Sequence, residues 1–279
     1  AYSRDGKTWT DINGSRPVFN AYDDEVWLRD PYLHRVTHNG KTKFHLIHTW
    51  GWDHPALFHW ESDDLIHWTA ANGGTRTDDG KIMLMDGHDG GPVSPNAWAP
   101  EFTYDGQTGT FYLYWSSRIG DRQVHHYCTT KDWLTFSTPA VYFDPGFTAI
   151  DMTILKEGDT YYAYYKDERN GEKTIRCATS KSLDPRVQRF EGSTPLLPSR
   201  YIEVEGPEVF PAIGGKGWFL YFDKFNGDRG VSYTGCTDPS QHKWYPIPDD
   251  EIRNPTEVKH GSVEIISTAE LEKLLEHFK

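Results

Sequence analysis

The sequence predicts an all-β chain, a five-bladed β-propeller with a short C-terminal helix, and three observations carry that expectation. A hairpin of short aromatic and β-branched runs recurs along the chain. Its spacing of roughly 50 to 70 residues suits a four-stranded unit and is too long for a helical solenoid repeat. The two chain ends read as the parts of one further unit.

Four complete units are visible. Lys43–Trp50 leads to Ala56–Trp68, Thr110–Trp115 to His125–Trp133, Thr160–Tyr165 to Thr174–Ser180, and Trp218–Phe222 to Val231–Asp238. Gly, Asn and Asp bound these runs, as turn chemistry requires. The fifth unit is split: Ala1–Thr10 matches the end of a unit, and Gly261–Ser267 reads as a lone strand. The expectation is a closing blade shared by the N- and C-terminal strands, which removes the exposed edges of an open row of sheets. Thr268 is the expected N-cap of a final amphipathic helix, with Leu271, Leu274, Leu275 and Phe278 on its apolar face.

Nothing resembling a linker interrupts the 279 residues, so residues 1–279 are expected to form a single catalytic domain. A net charge of −12 and a pI near 5.5 disfavour nucleic acid, anionic membranes and polyanionic polysaccharides as partners. The 11 Trp and 16 Tyr exceed the needs of a core and suit a ligand with faces to stack on, such as a sugar. Cys128, Cys177 and Cys236 fall in different units and are expected to be buried free thiols. No apolar run approaches a membrane span. The chain begins in mid-strand at Ala1, which suggests an export signal upstream and a secreted or periplasmic protein, with the cytoplasm as the alternative. Oligomeric state is not legible.

Three acids stand at matching points of the repeat: Asp30 before Pro31, Asp151 between Ile150 and Met152, and Glu205 before Gly206-Pro207. A ring fold would aim all three at one central cleft. An Asp before Pro is by itself a common turn arrangement. Asp151 interrupts an otherwise apolar strand, where an unpaired carboxylate is costly to bury, and so answers a functional demand. Glu203 and Glu208 compete with Glu205, which only the following Gly-Pro singles out.

The Asp30-Pro31 pair, Asn96-Ala97-Trp98-Ala99-Pro100-Glu101, Ile150-Asp151, Glu205-Gly206-Pro207 and Lys259-His260-Gly261-Ser262-Val263, in that order along nearly the whole chain, resemble glycoside hydrolase family 43. That resemblance implies five blades, a pocket at the propeller axis and hydrolysis with inversion at the anomeric carbon. It makes Asp30 the general base, Glu205 the general acid, and Asp151 the residue that holds and tunes that acid. Inversion needs a base and an acid on opposite sides of the sugar, about 6.5 to 9.5 Å apart. No cofactor is needed for the chemistry. The resemblance also implies an axial ion, usually calcium, beside His260, although Lys259 stands where Arg is common.

Candidate substrate contacts are Trp50 and Trp98, whose indole faces suit a sugar ring but also suit blade packing, together with Trp52 and His54 in the same loop. Arg229 either bonds a sugar hydroxyl, orients Glu205 or forms a surface ion pair. The Gly- and Asp-rich stretch 70–95 is a candidate wall across one end of the cleft. The expected activity is exo-acting release of terminal α-L-arabinofuranose or β-D-xylose from plant-type polysaccharides or oligosaccharides. The alternatives are a β-galactosidase or galactan-directed exo-hydrolase of the same fold, or a carbohydrate-binding propeller without catalysis.

Overall fold

The computed structural model describes residues 1–19, 28–197, 203–213, 216–225, 230–255 and 258–279. Four antiparallel four-stranded sheets follow one another in chain order. The first holds β3 (Leu28–His38), β4 (Lys41–Trp50), β5 (Ala56–Ser62) and β6 (Lys81–Met83), after a short N-terminal pair, β1 (Tyr2–Ser3) and β2 (Trp9–Thr10). The second holds β7 (Trp98–Asp105), β8 (Thr110–Ile119), β9 (Arg122–Thr130) and β10 (Ala140–Phe143). The third holds β11 (Ala149–Glu157), β12 (Thr160–Asp167), β13 (Ile175–Ser180) and β14 (Glu191–Pro195). The fourth holds β15 (Val204–Pro211), β16 (Trp218–Lys224), β17 (Gly230–Cys236) and β18 (Tyr245–Pro246).

Within each sheet the order is sequential, and β3, β7, β11 and β15 touch one another as the innermost strands. The chain is therefore an all-β propeller with a short C-terminal helix. Its aromatic rings fill the gaps between blades. Phe102, Phe111, Trp115 and Trp133 pack with Ile47 and Leu57 between the first and second sheets, and Tyr114, Tyr142 and Tyr165 lie between the second and third. All three cysteines are buried and free.

The seam between the fourth and first sheets differs from the sequence expectation. Four blades have four strands among the described residues, and no strand forms over Gly261–Ser267. Instead β1 and β2 pair with each other, and Thr8 forms a parallel bridge to Arg253, with Trp9 N–H donating to Arg253 O at 2.9 Å. Residues 260–265 cross the seam on side-chain hydrogen bonds. His260 N–H donates to Asp223 Oδ2 at 2.8 Å and Val263 N–H to Glu208 Oε1 at 3.1 Å, both on the fourth blade. On the first blade, Leu33 N–H donates to Ser262 Oγ at 2.6 Å and Arg35 N–H to Glu264 Oε2 at 3.0 Å. Side chains already satisfy these backbone donors, so they are not available for a ladder.

Helix α1 (Thr268–His277) is capped by Ser267, one residue before the expected Thr268, in a reciprocal box with Glu270. Its Leu274 packs on Phe44 and Leu65, so the helix docks on the first blade. Strand β6 falls inside the stretch 70–95, making part of that candidate wall the outer strand of the first blade. Among the described residues no helix is long and apolar enough to cross a membrane.

Candidate active site

Every inner strand carries the same irregularity. The pairing register shifts between Arg29 and Tyr32, Trp98 and Glu101, Ile150 and Thr153, and Glu205 and Glu208. At each bulge one residue takes a left-handed conformation: Asp30 at φ 49°, Ala99 at 45°, Asp151 at 54° and Gly206 at 56°. A bulge re-aims a side chain that regular pleating would send into a sheet face. Asp30 and Asp151 are thus true equivalents. Glu205 stands one residue earlier than the matching point, and Gly206 occupies it. A Cβ on Gly206 would lie 3.1 Å from the His260 ring, so a side chain there would crowd the histidine.

The acids meet through a small set of bonds. Gly206 N–H donates to Asp151 Oδ2 at 3.0 Å, tying the third blade to the fourth beside Glu205. His260 Nδ1 lies 3.3 Å from Asp30 Oδ1, and Arg29 approaches the same oxygen at 3.8 Å. Lys166 Nζ donates to Glu205 Oε2 and to Glu168 Oε1, both at 2.8 Å, and is itself only 2% exposed. Asp30 and Asp151 are buried, whereas the Glu205 side chain retains 25% exposure.

The charges sort themselves accordingly. Burial alone would raise Asp30, but the facing His260, together with Arg29 and the Ala99 N–H, outweighs it and holds the carboxyl below its ordinary range. Burial pushes Asp151 up to about 6, with the charges of Asp30 and Glu205 adding to the rise and those of His260 and Lys166 opposing it. Asp223 is likewise pushed up to about 6 by burial, against the pull of His260. Burial would lower His260, yet Asp30, Asp151 and Asp223 around it raise it to about 10, so it stands as an imidazolium at neutral pH. Lys166 is raised by Asp151 and Glu205 despite its burial.

His260 therefore supplies positive charge to this cluster. Among the described residues it does not come together with two other donors in a metal-holding group, and a protonated ring offers no lone pair.

The predicted contact residues divide. Trp98 lies at the rim: its Nε1–H donates to Trp52 O at 2.6 Å, its ring meets Trp52 edge-on at 5.9 Å, and its neighbour Ala99 bonds Asp30 through the backbone. Trp50 packs away from the acids, stacked on His54 at 4.0 Å with Lys81 over its face. Arg229 lies outside the described residues. Glu208 sits past the bulge, bonded to Thr153 and to Val263 N–H, in a layer beneath Glu205.

Sequence reasoning missed Lys166, Asp223 and the Arg29–Trp52 pair, whose guanidinium lies 3.5 Å from the indole centroid. The signal for two of them was present. Lys166 pairs with Ile150 and Asp223 with Glu205, each a charge closing an aromatic strand, the same anomaly that exposed Asp151.

Comparison with known proteins places the chain among glycosyl hydrolases and supports the propeller fold. A search of curated sequences finds an α-L-arabinofuranosidase of Bifidobacterium longum subsp. longum, 27% identical over 249 residues, covering 72% of this chain; the chain spans 22% of that relative's length. Among solved structures, the catalytic domain of the Coprinopsis cinerea GH62 α-L-arabinofuranosidase superposes with a TM-score of 0.56 at 15% identity, covering 80% of this chain and 68% of that one. The GH43B protein of the Bacteroides ovatus xyloglucan PUL gives 0.60 at 18% identity, covering 86% and 43%. Both structural likenesses speak for the fold. The family-43-related profile described as "Probable glycosyl hydrolase domain" matches residues 1–272, and the chain belongs to that family of glycosyl hydrolases.

Proposed function

We propose that this chain is an exo-acting, inverting glycoside hydrolase that releases terminal α-L-arabinofuranose or β-D-xylose from plant-type oligosaccharides and polysaccharides. The observation that carries the reading is the division of charge among the axial acids. Asp30 is held ionised by His260, as a base for water must be. Glu205 is the more exposed carboxyl and the one placed to meet a leaving group. Asp151 is buried, bonded to the residue after Glu205 and charge-coupled to both other acids, which suits a residue that positions and tunes.

In this reaction Asp30 removes a proton from water as its oxygen attacks the anomeric carbon. Glu205 protonates the departing glycosidic oxygen from the opposite side, so the product has inverted configuration. Lys166 and Asp151 fix the acid, and Trp52 and Trp98 offer indole surface beside the sugar. The name of the Bifidobacterium relative supports arabinofuranose as the first sugar to test. The whole chain acts as one catalytic domain, and we read the seam of β1, β2 and residues 251–255 and 258–267 as its fifth, reduced blade. Release of nitrophenol from the α-L-arabinofuranoside, β-D-xyloside and β-D-galactoside tests the proposal. Turnover of either of the first two, lost on Glu205→Gln, supports it; turnover of the galactoside alone moves the specificity, and none from any argues against simple exo action.

A further inference from the structure

We propose that His45, His59 and Glu61 form a transition-metal site, zinc in the first instance, between the first and second blades and separate from the axial acids. His45 pairs with Glu61 across the β4–β5 ladder, and His59 stands two residues before Glu61 on β5, so all three project from one sheet face. Their donor atoms converge. His45 Nδ1 lies 3.0 Å from His59 Nε2 and 3.8 Å from Glu61 Oε1, and the three donors lie within 4.8 Å of one another. Tetrahedral zinc with ligand bonds of about 2.0 to 2.1 Å separates its donors by roughly 3.3 Å, a value these spacings bracket.

The surroundings prepare the ligands. Trp133 stacks on His59 at 3.7 Å and 4° and on His45 at 5.4 Å, fixing both ring planes. Lys43 binds Glu61 Oε2, which orients the carboxylate and leaves Oε1 facing the histidines. Coordination requires only that the ring now donating the His–His hydrogen bond carry its proton on its other nitrogen. A water completes the shell from the rim, where Lys43 is 34% and Glu61 13% exposed.

The ladder register shows that this set is specific to one blade. The same three positions hold Tyr112, Tyr127 and Thr129 in the second blade, Tyr162, Cys177 and Thr179 in the third, and Phe219, Tyr233 and Gly235 in the fourth. Those positions hold aromatic or small residues in the other blades, not imidazoles and a carboxylate. In the first blade two imidazoles and a carboxylate stand there instead, among the rings of Phe102, Phe111 and Trp133.

The test uses the full chain, freed of metal with a chelator and titrated with Zn²⁺ and Co²⁺. One Zn²⁺ should bind per chain and raise the melting temperature, Co²⁺ should give the visible bands of a tetrahedral centre, and millimolar Ca²⁺ should not compete. Glu61→Gln, at the rim, should weaken zinc binding at least tenfold with the metal-free melting temperature kept, His45→Gln should abolish the cobalt bands, and His260→Gln should leave both metals bound. Absence of zinc binding to the native chain overturns the site whatever the variants do. So does undiminished binding in Glu61→Gln, or its loss in His260→Gln.

Discussion

Two layers of acids surround the propeller axis, one bulge apart, and the chain treats them in opposite ways. The upper layer, Asp30, Asp151 and Glu205, is interleaved with cations: His260 against Asp30 and Lys166 against Glu205. The lower layer, at the residue two after each bulge centre, holds Tyr32, Glu101, Thr153 and Glu208. Its carboxyls find hydroxyl and amide donors instead: Tyr114 O–H donates to Glu101 at 3.2 Å, and Thr153 and Val263 N–H donate to Glu208. Burial raises both carboxyls above their ordinary value, with the charge of Glu208 adding to the rise of Glu101 and that of Glu264 to the rise of Glu208. A buried carboxylate must be paired or protonated. In the upper layer Asp30 takes the first solution, facing the His260 imidazolium, while burial pushes Asp151 up to about 6; the carboxyls of the lower layer take the second.

The sharpest way to break that contrast is to neutralise one member of each layer. Asp30→Asn and Glu205→Gln should each lower turnover by about 10² to 10⁴-fold, with the loss in Asp30→Asn persisting even on an activated leaving group. Glu208→Gln, which imitates the protonated acid, should keep turnover within about twofold near neutral pH. Comparable losses in all three would erase the distinction between the layers.

His260→Gln sharpens the comparison next, because it removes a cation without touching an acid. Turnover should fall by roughly tenfold, and the acidic limb of the pH–rate profile should move up by about one unit or more as Asp30 loses its partner. The stability His260 contributes is complete below its unfolded value of 6.5 and lost as pH rises through about 10, so the variant should melt closer to the parent in alkali than at pH 6.

The lower layer predicts a pH effect of the opposite origin. Glu208 is raised from 4.5 to about 8, so between those values the folded chain holds a proton that the unfolded chain has released. Stability is therefore greatest below about pH 4.5 on this account and declines as pH rises toward 8. Melting curves of Glu208→Gln should lack that part of the decline. The smallest effect belongs to the rim. Trp52, 55% exposed and held by Arg29, should raise KM roughly 2- to 10-fold as Trp52→Ala, with melting unchanged.

Much of this was legible in the chain because repetition is legible. Aromatic strands recurring at a fixed interval marked the four sheets, and an acid inside the apolar run around Asp151 marked a demand on the site. The seam was not legible. Gly261–Ser267 has the apolar alternation of a strand, but Ser262, Glu264, Asp223 and Glu208 capture the backbone donors along it and around it, a long-range outcome that local pattern does not report. The bulge register also lay hidden. Asp30, Asp151 and Glu205 look equivalent as acids, yet only the backbone shows that Gly206 is the true counterpart of the two aspartates. Which acid each cation faces, Lys166 against Glu205 and His260 against Asp30, is set across blades, where spacing along the chain carries no information.

The most direct test of the central claim is azide rescue of Asp30→Gly acting on an aryl glycoside with a good leaving group. If Asp30 is the base for an attacking water at the face opposite Glu205, azide should restore turnover and yield a glycosyl azide of inverted configuration. No rescue, or a product of retained configuration, would contradict the assignment of the axial acids.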